Sequence, residues 1–159
     1  MKHKEICVWM KVILIGLGLS GIVFYFFALP LIGHGATEMF PEYASAYWPW
    51  MIFIWLTGVP CFAFLPVGWS IASNIARGKA FSLQNAKLLR TVGFLAAGDA
   101  VFFLIGNVVF LLFNINHVGV VLGSVLVSFI GFSVSVAAMA LSSLTRNASD
   151  IREENELTI

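Results

Sequence analysis

Charge is what this chain has least of. Only 11% of its 159 residues are Asp, Glu, Lys or Arg, where soluble domains carry roughly 25%. Hydrophobic residues make up 60%, and the mean hydropathy is +0.94, which excludes an ordinary water-soluble domain. Cysteine is almost as scarce. Cys7 and Cys61 are the only two, one ahead of the first apolar run and one inside the second, so a disulfide framework is excluded and both are expected as buried, inert thiols. The chain has no HExxH, CxxC or GxSxG pattern and no phosphate-binding loop, which argues against a conventional hydrolase or kinase. It is expected not to be an enzyme and to need no cofactor. Basic residues interleaved with aromatics are also lacking, so no direct nucleic-acid binding is expected.

What the chain has is four long apolar runs, at about 8–32, 47–74, 88–113 and 117–144, each long enough for the ~20 residues that cross a bilayer as a helix. The first exceeds the ~7–15 residues of a cleavable signal core, so it reads as a retained span. Lys2, Lys4 and Lys11 lie at the first run, Arg77, Lys79, Lys87 and Arg90 between the second and third, and Arg146 and Arg152 after the fourth. The two remaining loops carry no Lys or Arg. Because basic loops stay inside, both termini and the middle loop are expected in the cytoplasm. The expectation is an all-α polytopic membrane protein: one four-helix transmembrane bundle over 1–159, with an acidic cytoplasmic tail at 145–159. Tyr43, Tyr47, Trp48 and Trp50 at one boundary, and Trp9 and Trp69 at the other, read as interfacial anchors.

Local signals refine this layout. Pro30 is expected to loosen the end of the first span, and Pro60 to kink the second. Asn114 to Asn116 make a tight outer hairpin between the last two spans. Ala137, Leu141, Leu144, Ala148 and Ile151 recur every three or four residues, which extends the fourth helix into the cytoplasm to about Glu154. That stripe either covers the bundle's own loop or offers a docking face.

Asp99 is the only acidic residue inside a span, and the only charged one away from a span's end. An ionised carboxylate at mid-bilayer costs several kcal/mol, so it is expected to face the interior, be protonated or find a partner. Asn107 lies on the same helix, and the two form the candidate intramembrane polar site. Ser20, Tyr25, Thr57, Ser124, Ser128, Ser133 and Ser135 are the available hydroxyl partners. Two readings stay open: a structural clamp between helices, or a site for a cation, a proton or an amphipathic ligand. Gly16, Gly18 and Gly21 spell GxGxxG, but inside an apolar span they read as a helix-packing surface and not a nucleotide loop. His34, Glu38, Glu42 and His117 read as ordinary loop charges more readily than as a metal or pH site. Gly33, Gly35 and Pro41 oppose the regular helix that would align them.

The middle loop turns at Gly78 and is expected to open a surface helix over 83–90 capped by Ser82, with Phe81 packing back on it. It carries four positive charges and no negative ones, whereas Asp150 to Ile159 carries four negative and one positive. Opposite charges on one membrane face suggest that the tail folds back on the loop or that both receive a shared partner. At Gly78, Phe81, Ser82, Asn85, Leu89, Arg90 and Gly93, and at the ending Glu153-Glu154-Asn155-Glu156-Leu157-Thr158-Ile159, the chain resembles a bacterial membrane family catalogued as domain of unknown function 2975. Members are often encoded beside a small helix-turn-helix regulator. The resemblance therefore implies a multi-pass protein of the bacterial cytoplasmic membrane that partners a transcription factor. The expected cytoplasmic interaction surface is Arg77, Lys79, Phe81, Ser82, Asn85, Arg90, Glu153, Glu154, Glu156 and Leu157. A sensor or regulatory partner is the leading expectation. A small oligomeric transporter or channel using Asp99, and a structural subunit of a membrane complex, are the alternatives, and a homo-oligomer fits each.

Overall fold

The computed structural model describes residues 2–157, with side chains from Glu5 to Asn155. The described chain is helical apart from short turns, and four of its stretches are long and apolar enough to cross a membrane. Helix α1 (Lys2–Val23) passes through a π-helical turn at Phe24–Ala28 into α2 (Leu29–Met39), and together they make the first span. A 3-10 turn at Pro41–Ala46 leads into α3 (Tyr47–Ala76), then come α4 (Leu83–Leu112) and α5 (Val118–Leu157). Antiparallel threading puts residues 2–5, the 77–82 turn and the end of α5 at one end of the bundle. Most large apolar side chains point outward toward where lipid lies, Phe27, Leu126 and Phe129 among them.

The packing order is α1 on α3, α3 on α4, and α4 on α5. The α4–α5 pair is a seam of small residues. Ser124, Ser128, Gly131, Ser135, Ala138, Ser142 and Thr145 recur at alternating spacings of four and three, the 3.5-residue period of a coiled-coil stripe, and face α4. Three serines seven residues apart donate across the seam to carbonyls also seven apart: Ser128 to Ala100 at 3.1 Å, Ser135 to Gly93 at 2.8 Å and Ser142 to Ala86 at 2.6 Å. Such bonds need close backbones. Glycine and alanine supply the approach: a Cβ on Gly131 would lie 2.9 Å from the Ala100 Cβ.

Polar residues fasten the two ends. At the α4–α5 turn, Asn114 takes φ 56, a left-handed conformation that asparagine tolerates. Asn116 donates to the Asn107 side-chain oxygen at 3.1 Å and to its carbonyl at 2.9 Å. Trp50 of α3 donates to the Ile115 carbonyl at 2.7 Å, tying α3 to the same turn. At the other end, Ser82 caps α4 and accepts from the Asn85 amide, while Asn74 donates to Asn85 at 2.8 Å. Asn85 in turn donates to the Lys79 and Ala80 carbonyls, which holds the 77–82 turn against the bundle.

Several local expectations are corrected. Gly33 and Gly35 do not end the first helix, which continues to Met39. Glycine inside a helix costs only about 1 kcal/mol, and here Tyr47 and Met51 fill the space a Gly33 side chain would take, with Tyr47 stacked on His34 at 4.6 Å. Residues 83–90 do not form a separate surface helix but are the first turns of an unbroken α4, since neither Gly nor Pro interrupts them before Thr91. Phe81 does not pack back on that helix and is 60% exposed. Cys61 is exposed, unlike Cys7. The stripe at Leu141, Leu144 and Ile151 does not cover the bundle's loop either: it faces outward, and Ala138, Ser142 and Thr145 are the buried face.

The fourth helix runs 40 residues, about 60 Å at 1.5 Å per residue, twice the thickness of a hydrocarbon core. Thr145 is its last buried residue among the described side chains, and the twelve residues 146–157 continue the helix for roughly 18 Å beyond the packed seam. Arg146 and Asp150 pair along this extension at 4.0 Å. The tail thus continues as a helix instead of turning back onto the 77–82 loop.

Candidate functional site in the membrane interior

A cleft of about 830 Å³ lies among all four spans near mid-bilayer, and Asp99 stands in its wall. Its origin is a difference in side-chain size. α1 meets α3 through larger groups, with Gly18 against Leu65, Gly21 against Phe62 and Gly68 against Leu14. No packed seam joins α1 to α5, so the space bounded by Leu17 and Phe24 on one side and Val127 and Val134 on the other is a cleft with a flank toward lipid.

The π-helical turn shapes one wall. Leu29 N–H bonds Phe24 O, five residues back. In the same register Tyr25 O would need the N–H of residue 30, which is Pro30 and has none. The freed Tyr25 carbonyl accepts instead from Trp55 Nε1 at 3.0 Å. The proline expected to loosen this helix is accommodated by one widened turn and one indole. The turn presents the Tyr25 ring to Gly58, where an added Cβ would come within 3.0 Å, and to Phe62 at 5.9 Å. Tyr25 lines the cleft together with Thr57, Cys61 and Asp99. α3 runs helical through Pro60 and Pro66, and it brings Thr57 and Cys61 to the same depth.

Asp99 lies near the middle of α4 and is neighboured by Ala100 and Ala96 of the seam. Its Oδ1 is buried and has no hydrogen-bond partner among the described residues. Four of the five serines that sequence reasoning offered as partners are engaged elsewhere: Ser128 and Ser135 on the seam, Ser124 on Val121 and Ser133 on Phe129. Thr57 donates to the Ile54 carbonyl. No Lys, Arg or His lines the cleft.

Asn107 does not join it. It is fully buried, donates to Phe103 O at 2.9 Å and serves the α4–α5 turn, two helical turns away from Asp99. Tyr25 and Cys61 are the site members that sequence reasoning underweighted. The Pro30 breaker, read together with the tyrosine five residues earlier, was the available signal. His34 meets Tyr47 at 3.2 Å, and no group of three or more metal-ligating side chains exists among the described residues.

The second candidate surface lies at the charged end. Arg77, Lys79, Phe81, Arg90, Glu153 and Glu154 are exposed there, with Arg90 over the Phe94 ring at 5.4 Å. Asn85 does not belong to that surface: it is 2% exposed because its side chain holds the turn from inside. Ser82 is partly covered by its capping role. Glu156 and Leu157 fall on the last turn of α5, and their side chains lie outside the described ones, as do Thr158 and Ile159 altogether.

Fold and cleft together define a polytopic helical membrane protein with an internal carboxylate. The chain belongs to the family described as protein of unknown function DUF2975, which matches residues 31–159. It is similar to the uncharacterized membrane protein YoaS of Bacillus subtilis (strain 168), 26% identical over 154 residues that span 96% of each chain. No solved structure matches it.

Proposed function

We propose that the protein is a membrane sensor or regulatory partner whose charged end, cytoplasmic by its basic residues, engages a small helix-turn-helix regulator. The observation that carries this reading is the continuity of α5, one helix from the seam at mid-membrane to about 18 Å beyond it. A helix locked to α4 by three serine bonds moves with the bundle, so a change at the cleft would displace the acidic arm as a lever. The arm presents Asp150, Glu153 and Glu154, and the 77–82 turn at the same end of the bundle presents Arg77 and Lys79, opposite charges suited to orienting a partner. Phe81 adds an exposed apolar side chain on that turn.

The test is in-cell crosslinking of the full chain and of a chain ending at Ser149, followed by mild-detergent purification and mass spectrometry. A small helix-turn-helix protein recovered with the full chain and lost with the shortened one is the expected result. Recovery of neither, or equal recovery of both, overturns the reading. A transporter or channel is favoured by one observation only, the carboxylate in a cleft, and would require the gap between α1 and α5 to be closed by a second copy.

A further inference from the structure

We propose that the cleft around Asp99 is a binding site for a lipophilic organic cation that enters from the bilayer between α1 and α5. Four features of the cleft lead there. Its volume of about 830 Å³ falls in the ~300–1,000 Å³ range of small-molecule sites, and its lining is overwhelmingly apolar. Its single acid has a buried oxygen with no partner, and no basic side chain stands in the lining to neutralise it. A ligand that brings a positive charge supplies that missing counter-charge. The aromatic rings of Phe24, Tyr25, Phe62 and Phe103 line the same cleft, and aromatic rings attract cations.

The alternative cations fit less well. Calcium and magnesium take about six or more oxygen ligands and zinc about four ligands, whereas this wall offers one carboxylate, the Cys61 thiol, the Thr57 and Ser128 hydroxyls already donating to carbonyls, and the Tyr25 hydroxyl. A bare monovalent ion would leave most of the apolar volume unfilled. An organic ammonium or phosphonium fills it with its own substituents. The route is lateral because the two faces that would seal the cleft, α1 and α5, form no seam, while every other neighbouring pair of spans is packed. The widened turn at Phe24–Ala28 lies at this opening, and π turns are frequent at functional sites.

That such a cation is the signal read by the cytoplasmic arm rests on the proposed function; that it binds does not. The binding test therefore uses the full chain alone in lipid nanodiscs, with no regulator present. Radiolabelled tetraphenylphosphonium is titrated by scintillation proximity against empty nanodiscs. The expected result is saturable binding that falls on the order of tenfold or more in Asp99→Asn. Triphenylphosphine oxide, of similar shape but neutral, is expected not to displace the probe. Cys61→Trp keeps the carboxylate and fills the cleft from its exposed position, and it should abolish binding too; it carries the test if the Asn variant does not fold. No saturable binding above empty discs, wild-type affinity in either folded variant, or equal displacement by the neutral compound would each overturn the proposal.

Discussion

The two halves of this bundle are built from opposite materials. α4 and α5 meet through serine, glycine and alanine, and three side-chain hydroxyls cross between backbones. α1 meets α3 through leucine and phenylalanine ends resting on glycines, and a cleft opens where this half fails to reach α5. Within lipid, apolar side chains gain nothing by leaving one hydrocarbon for another, so only close packing and hydrogen bonds distinguish a seam from a lipid contact. The small-residue half therefore holds, and the large-residue half encloses space. The α4–α5 seam thus supplies the firm wall of the cleft, and α1 and α3 supply the loosely packed one.

The largest effect is expected from wedging the seam. In Gly131→Leu the new side chain has no room, because its Cβ alone would lie 2.9 Å from the Ala100 Cβ. We expect a loss of about 3 kcal/mol, the upper part of the range for overpacking, read by SDS-titrated unfolding followed by tryptophan fluorescence. Replacing Ser128, Ser135 and Ser142 together by Ala keeps the close approach and removes the three hydroxyl bonds. At ~0.6 kcal/mol each, the expected cost is about 2 kcal/mol. A triple variant as stable as wild type would show that packing alone makes the seam.

Much of this division was legible in the sequence and some was not. Four spans, the α4–α5 hairpin and the extension of α5 followed from hydropathy and spacing. Asp99 stood out because a charge in a span is rare. The serine ladder was hidden because Ser128 and Ser135 stood as possible partners for Asp99, whereas Ser128, Ser135 and Ser142 repeat at seven and their partners are backbone carbonyls, which have no sequence signature. Asn85 was taken for a surface residue on its position in a charged loop. Only the fold shows that Asn74 reaches it from α3. The helical course through Gly33 depends on Tyr47 and Met51, which lie far enough along the chain that local propensity could not report them.

A smaller effect is expected where the loose half is stitched rather than packed. Trp55→Phe keeps an aromatic ring but removes the indole N–H that satisfies the Tyr25 carbonyl at the π turn. One hydrogen bond of this kind is worth about 1 kcal/mol, and the same unfolding assay on the full chain measures it. The comparison sharpens if the variant also increases hydrogen exchange at Tyr25 to Leu29 without changing exchange in α5. If exchange rises equally in both, the halves are one cooperative unit and the division is only descriptive.

The smallest effect is expected inside the cleft itself. Leu17 lines it and is 53% exposed, so truncating it removes few protein contacts. Buried leucines cost about 2–5 kcal/mol on truncation to Ala, whereas Leu17→Ala should stay within about 0.5 kcal/mol of wild type. The reason is physical: a side chain already bordering open volume leaves no new cavity for its neighbours to lose contact with. A loss matching the seam substitutions would mean that α1 closes onto α5 in the bilayer and that Leu17 is then buried. That outcome would remove the lateral opening, and with it the difference between the two halves on which the entry route depends.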